Sequence, residues 1–173
     1  MNSVFESLSL KIQSLFKEWG HIEYHHSWFR EIETHRYYSV AAVKGDEILG
    51  ILVLEIKEPS SLSKEDREIL STRFVKNKIG YILSLGVAEN YRRVAFASFL
   101  LNNLMRSAHS DISEKGFYLH VLSTNFQPIP FYDKKRGSTS SLFVLLLCHQ
   151  RETKRWIHIC ICHQWRPSPL DSL

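Results

Sequence analysis

The stretch Tyr81-Ile-Leu-Ser-Leu-Gly-Val87, followed after three residues by Tyr91-Arg92-Arg93-Val94-Ala95-Phe96-Ala97-Ser98, decides how the rest of the chain is read. Its first seven residues are mostly apolar and β-prone and predict a strand. A helix over about Ala95–Ser110 follows, with Leu100, Leu101, Leu104 and Met105 on its apolar side. A strand that leads through a short basic turn into a helix brings backbone N–H groups to one place. That arrangement favours an anion.

Upstream, residues 4–19 set Val4, Phe5, Leu8, Ile12, Leu15, Phe16 and Trp19 at helical spacing, an amphipathic helix that Gly20 ends. His21 to His26 reads as a loop, with His25-His26 solvated. Two strands are predicted at Tyr38–Val43 and Ile48–Ile56, joined by a tight turn at Lys44-Gly45-Asp46-Glu47. Pro59-Ser60-Ser61 breaks the second strand. Ser63 with Asp66 three residues on is a capping box for a short helix through Phe74. Downstream, Phe117–Leu122 predicts another strand. Pro128 and Pro130 fit the first turn of a helix running towards Arg136, where backbone N–H groups have no intrahelical partner. The order is α/β, and in such sheets ligands bind outside the carboxyl ends of strands, near helix N-termini.

Composition narrows the function classes. A chain of 173 residues with 44% hydrophobic and 23% charged residues is one domain's worth of ordinary globular protein. The net charge of +4 sits in the tail, because residues 134–173 hold 7 Lys+Arg against 2 Asp+Glu. The body is close to neutral, so no nucleic-acid partner is expected. Cys148, Cys160 and Cys162 all fall near the end, and Cys160-x-Cys162 lacks the usual zinc spacing even with His158 and His163 nearby. No metal is expected. No leader and no apolar run of about 20 residues is read, so a cytoplasmic protein without a transmembrane segment is expected.

The 81–87 strand with Tyr91-Arg92-Arg93 resembles the acetyl-CoA motif of GNAT enzymes. The likeness extends over residues 12–136 through Ile22-Glu23-Tyr24, Ser27-Trp28, Lys64-Glu65-Asp66, Leu119-His120-Val121-Leu122, Asn125 and Phe131-Tyr132. In that order and spacing they resemble the NatF-type N-terminal acetyltransferases. The resemblance implies a GNAT fold, a mixed central sheet flanked by helices. It also implies acetyl transfer from acetyl-CoA, without a metal, to the α-amine of proteins that keep Met before Leu, Ile, Phe or Lys. Histone lysine acetylation has also been ascribed to the family.

By the same resemblance Tyr81 and His120 are the catalytic pair, and Tyr24 and Leu83 line the peptide site. Leu85, Gly86, Val87, Arg93, Val94, Ala95, Phe96, Ala97, Ser98, Asn125 and Tyr132 would contact acetyl-CoA. The residue types suit the chemistry. An α-ammonium with a pKa of about 7.7–8.0 can lose its proton to a histidine, or to a water it polarises, near neutrality. Taken singly, Tyr81 and His120 read as half-buried sheet residues, Tyr24 as a packed loop aromatic, and Asn125 as a helix cap.

Three departures from the family pattern stand out. Ala95 replaces the first glycine of the Arg/Gln-x-x-Gly-x-Gly/Ala loop, where a Cβ crowds phosphates or is strained if φ is positive. Weaker acetyl-CoA binding is expected. The family's first strand is missing. After about Arg136 the text no longer matches, so the chain is read as a truncated acetyltransferase domain at 1–136 and a divergent tail at 137–173. Codons can be chosen for Lys154 to Arg166 so that dropping one nucleotide gives Lys-Asp-Gly-Tyr-Ile-Tyr-Val-Tyr-Val-Ile-Asn-Gly-Gly, the ending the family shows. Two readings stay open for the tail: an out-of-frame copy of the last strands, or genuine diverged strands at Leu142–Leu147 and Trp156–Cys162. Family members sit on the cytosolic face of Golgi membranes through C-terminal helices that this text lacks. A catalytically impaired remnant is the alternative reading of the whole chain, and the oligomeric state is left open.

Overall fold

A computed structural model describes residues 2–19, 24–70, 76–93, 95–107, 116–122, 128–136, 142–151 and 154–162. The chain divides into two units, Met1–Ile56 with Ile82–Ala108 and Lys57–Tyr81 with His109–Leu173. Among the described residues no helix is long and apolar enough to cross a membrane.

The first unit begins with α1 (Asn2–Trp19) and α2 (His26–Glu33). Strands β1 (Tyr38–Lys44) and β2 (Glu47–Lys57) form an antiparallel hairpin. Lys44 pairs with Glu47, leaving Gly45-Asp46 as a two-residue turn, and Gly45 takes φ 57 there. That conformation is free for glycine and costly for other residues. Between Ala42 and Val43 the register slips, so Leu49 is an extra residue on the β2 side. Strand β3 (Ile79–Val87) lies beside β2, and α4 (Phe96–Ser107) closes the unit. Every residue from Ile48 to Leu54 is buried, which requires cover on both faces of β2. One face packs on Ile12, Leu15 and Phe16 of α1 and on Phe29 and Ile32 of α2. Leu100, Leu101 and Leu104 of α4 are also fully buried.

The second unit holds α3 (Lys64–Ile69), the first residues of β3, β4 (Gly116–Leu122) and α5 (Pro128–Arg136). Two further strands, β5 (Leu142–Arg151) and β6 (Lys154–Cys162), complete it. Their order is β4-β6-β5, both pairs antiparallel, with His120 opposite His158. Phe117, Tyr118, Leu119 and Val121 of β4 are all buried. The tail thus contains strands where alternation of Ile157, Ile159 and Ile161 permits one.

Two local expectations are corrected. The stretch read as a loop through His26 enters α2 there, and His25 caps it: its Nδ1 accepts from the Ser27 N–H at 3.3 Å. Eight residues were too few for a periodic signal, and the helix is held by Phe29 and Ile32 packing on α1 rather than by propensity. The helix begun at Ser63 ends at Ile69, where Leu70 turns extended with ψ 139. Of the stretch on to Phe74, residues 71–75 lie outside the described residues.

Candidate active site

The capping box at Ser63 starts the site. The Asp66 N–H donates to the Ser63 hydroxyl at 3.1 Å, which fixes the first turn of α3 and with it the Asp66 side chain. Asp66 is buried, 6% exposed, and its carboxylate sits between two groups of β4. The Tyr118 hydroxyl donates to it at 3.2 Å, and His120 Nε2 lies 3.4 Å from its other oxygen. On the far side of the imidazole, Nδ1 is 2.8 Å from the Tyr81 hydroxyl. Tyr81 also stacks on Tyr118, with ring centroids 4.7 Å apart, and the Lys57 ammonium lies 5.2 Å from its ring centre.

Burial acts to raise the Asp66 pKa, but the neighbouring His120 imidazole, the Ser63 hydroxyl and the Tyr118 hydroxyl outweigh it. The carboxyl is held at about 2. Asp66 is therefore an acceptor at neutral pH. An acceptor facing Nε2 places the imidazole proton on Nε2 and leaves Nδ1 with its lone pair towards Tyr81. The Tyr81 O–H then donates to His120, and a proton entering at the Tyr81 oxygen can pass to Nδ1 while Asp66 stabilises the imidazolium.

Tyr24 and Leu83 both pack against the hydrophobic core cluster of the first unit, which includes Phe16 and Phe29. The Tyr24 ring lies 4.4 Å from Trp28 and 4.8 Å, edge-on, from Phe16. Burial pushes its phenol pKa up, and a hydrogen bond with Ser84 partly opposes this.

Leu85, Gly86 and Val87 end β3, and a single 3-10 turn at Glu89–Tyr91 follows. The turn is tied down on three sides. The Glu89 N–H donates to the Glu18 carboxylate, the Tyr91 hydroxyl donates to Glu47 at 3.1 Å, and Arg92 pairs with Glu18 at 3.3 Å. Arg92 Nε also donates to the Val87 carbonyl at 3.1 Å. Arg92 is thus committed to the protein, whereas Arg93 is exposed with φ 66. Phe96, Ala97 and Ser98 form the first turn of α4, whose opening bond is Phe99 N–H to Ala95 carbonyl at 2.9 Å. That turn leaves N–H groups without intrahelical partners, which fits a phosphate-bearing ligand.

Ala95 has φ 42, so the strain expected of a Cβ at this position is present. Replacing it should help. Ala95→Gly is expected to stabilise the chain by about 0.5–1 kcal/mol, net of glycine's extra freedom in the unfolded state. The melting temperature, read without ligand, should rise by about 1–4 °C; a fall would show that the left-handed turn carries no strain.

Tyr132 is 5% exposed on α5, and burial pushes its phenol pKa well up, which keeps it a proton donor. Val94 and Asn125 lie outside the described residues. Sequence reasoning missed Asp66 and Tyr118 as members of the site. Asp66 carried a signal, the capping box, but that pattern explains an N–H and says nothing of where the carboxylate points. Tyr118 carried none.

Residues 5–137 match the Acetyltransferase (GNAT) family, and the chain belongs to that family. N-alpha-acetyltransferase 60 of Xenopus tropicalis is 38% identical over 128 residues, covering 72% of this chain and 53% of that protein. The Drosophila melanogaster N-alpha-acetyltransferase 60 is 34% identical over 156 residues, covering 76% of this chain and 56% of its own. The chain spans about half the length of the curated relatives it matches. Among solved structures, Arabidopsis thaliana NAA60 in complex with acetyl-CoA superposes with a TM-score of 0.67 at 22% identity, covering 91% of this chain and 92% of that one. The α/β GNAT fold is shared with it. The family match stops one residue past α5, and β5 and β6 lie beyond it.

Proposed function

We propose that the chain is a NatF-type N-terminal acetyltransferase, in which residues 1–136 form the acetyltransferase domain. The observation that carries the reading is the 2.8 Å contact of Tyr81 with His120, backed by a buried, ionised Asp66. Bound acetyl-CoA supplies an activated thioester. The ends of β3 and α4, through Leu85, Gly86, Val87, Arg93, Val94, Ala95, Phe96, Ala97 and Ser98, hold it, with Asn125 and Tyr132. Arg93 answers phosphate charge, and the α4 N–H groups answer phosphate oxygens.

Tyr24 and Leu83 give the peptide an aromatic and an apolar wall, suited to the retained Met and apolar second residue of its N-terminus. The Tyr81 oxygen takes the ammonium proton as its own proton passes to His120 Nδ1, which leaves a nucleophilic amine. Tyr132 orients or protonates the departing thiolate. Lysine side chains, as on histones, are a second class of acceptor for the same chemistry.

A remnant without turnover is the competing reading, favoured by the left-handed Ala95 and by a tail readable as out of frame. The coding nucleotides decide the tail: the proposal is that the shifted frame encodes the family's ending from about residue 137. Incubation with acetyl-CoA and a Met-Leu-starting peptide decides turnover. Mass spectrometry should place one acetyl group on the peptide α-amine. A folded chain that adds none above the protein-free rate is a remnant.

A further inference from the structure

Gly50 is a glycine in the middle of a strand buried on both faces, where it loses backbone entropy and offers no side chain to the core. Its backbone does not call for glycine, because among the described glycines only Gly45 has positive φ. Space does. A Cβ built on Gly50 would stand 2.8 Å from the Gly86 carbonyl oxygen, 3.3 Å from Val87 Cγ2 and 3.3 Å from Leu100 Cδ1. Those three atoms belong to β3 and α4. Next to this point the Ala88 N–H donates to the Leu49 carbonyl at 2.8 Å, so the end of β3 is clamped to β2 there.

We propose that Gly50 is a positioning residue for acetyl-CoA, setting the end of β3 against the first turns of α4 by having no side chain. The inference rests on the reading of residues 85–98 as the cofactor segment. Leu100 can yield to an added methyl by changing rotamer, but a backbone carbonyl at 2.8 Å yields only if β2 and β3 separate. Moving Gly86 moves the flanking Leu85 and Val87. Moving α4 instead carries away the N–H groups of Phe96, Ala97 and Ser98. Either displacement spoils one half of the cofactor cradle relative to the other. Tyr81 and His120 are held by each other, by Tyr118 and by Asp66, so the proton chemistry is expected to persist.

The test compares the whole chain with Gly50→Ala and with Ile51→Val. Ile51 is 2% exposed and packs in the core on α1 and α2, so its variant loses stability without touching Gly86 or α4. For Gly50→Ala, Kd and KM for acetyl-CoA should rise about tenfold or more, the loss expected when a hydrogen bond to a charged phosphate is displaced. At saturating acetyl-CoA, kcat and the peptide KM should stay within about threefold. Ile51→Val should bind acetyl-CoA as the parent chain does, with a lower melting temperature. If Gly50→Ala does not fold, Gly50→Ala with Leu100→Val makes room on the helix side and keeps the Gly86 clash. It should fold and still bind weakly.

Unchanged acetyl-CoA affinity in either Gly50 variant overturns the proposal, as does equal weakening by Ile51→Val. Neither result touches the cofactor reading. A parent chain that does not bind acetyl-CoA removes both.

Discussion

His120→Ala and Tyr81→Phe should each lower kcat for peptide acetylation by about 10²–10⁴, the range a positioned acid–base group supplies. Acetyl-CoA affinity should stay close to that of the parent chain, because the residues assigned to the cofactor are others. Tyr81→Phe is the sharper of the two. It keeps the ring that stacks on Tyr118 and lies under Lys57, and deletes only the oxygen that meets His120 at 2.8 Å. A loss of turnover at unchanged melting temperature would then belong to the proton path. If both variants kept parental kcat, the pair would be sheet packing and the amine would lose its proton elsewhere.

The second large effect concerns Asp66. Its carboxyl is pulled from the ordinary 3.8 to about 2 in the folded chain. A depressed folded pKa means the unfolded chain binds the proton more readily. The stabilisation is therefore complete above about pH 4 and is lost as pH falls towards 2. The parent chain should lose melting temperature across that window, and Asp66→Asn should show a flatter profile from a lower start. Catalysis should change as well. An amide oxygen cannot stabilise an imidazolium as a carboxylate does, so kcat should fall about tenfold or more. A variant with parental kcat and a parental acid profile would show that the 3.4 Å contact with His120 does not matter to either property.

Much of this was readable from residues alone. The 81–87 strand and the helix after it are long and strongly apolar on the buried side, so burial and periodicity agree. The Gly45-Asp46 turn announces itself because few residues accept its geometry. The pairing of Tyr81 with His120 came from resemblance, since nothing in spacing says that residues 39 apart share a hydrogen bond. Helix α2 was hidden because its stability lies in Phe29 and Ile32 meeting α1, a tertiary contact. Asp66 was seen as a cap and missed as a partner, because one residue serves both through different atoms. Gly50 is the plainest case. Its meaning lies in the atoms it leaves room for, and those belong to residues 36 to 50 positions away along the chain.

The left-handed Ala95 lies within the segment assigned to acetyl-CoA, and the tail follows directly on the domain assigned to hold it. Both bear first on whether the ligand is held. Calorimetric titration of the purified chain with acetyl-CoA is therefore the most direct measurement. The account predicts saturable, one-to-one binding with Kd below about 1 mM, corresponding to at least about 4 kcal/mol. A folded chain that shows no heat of binding at millimolar acetyl-CoA would contradict it and leave an acetyltransferase by descent only.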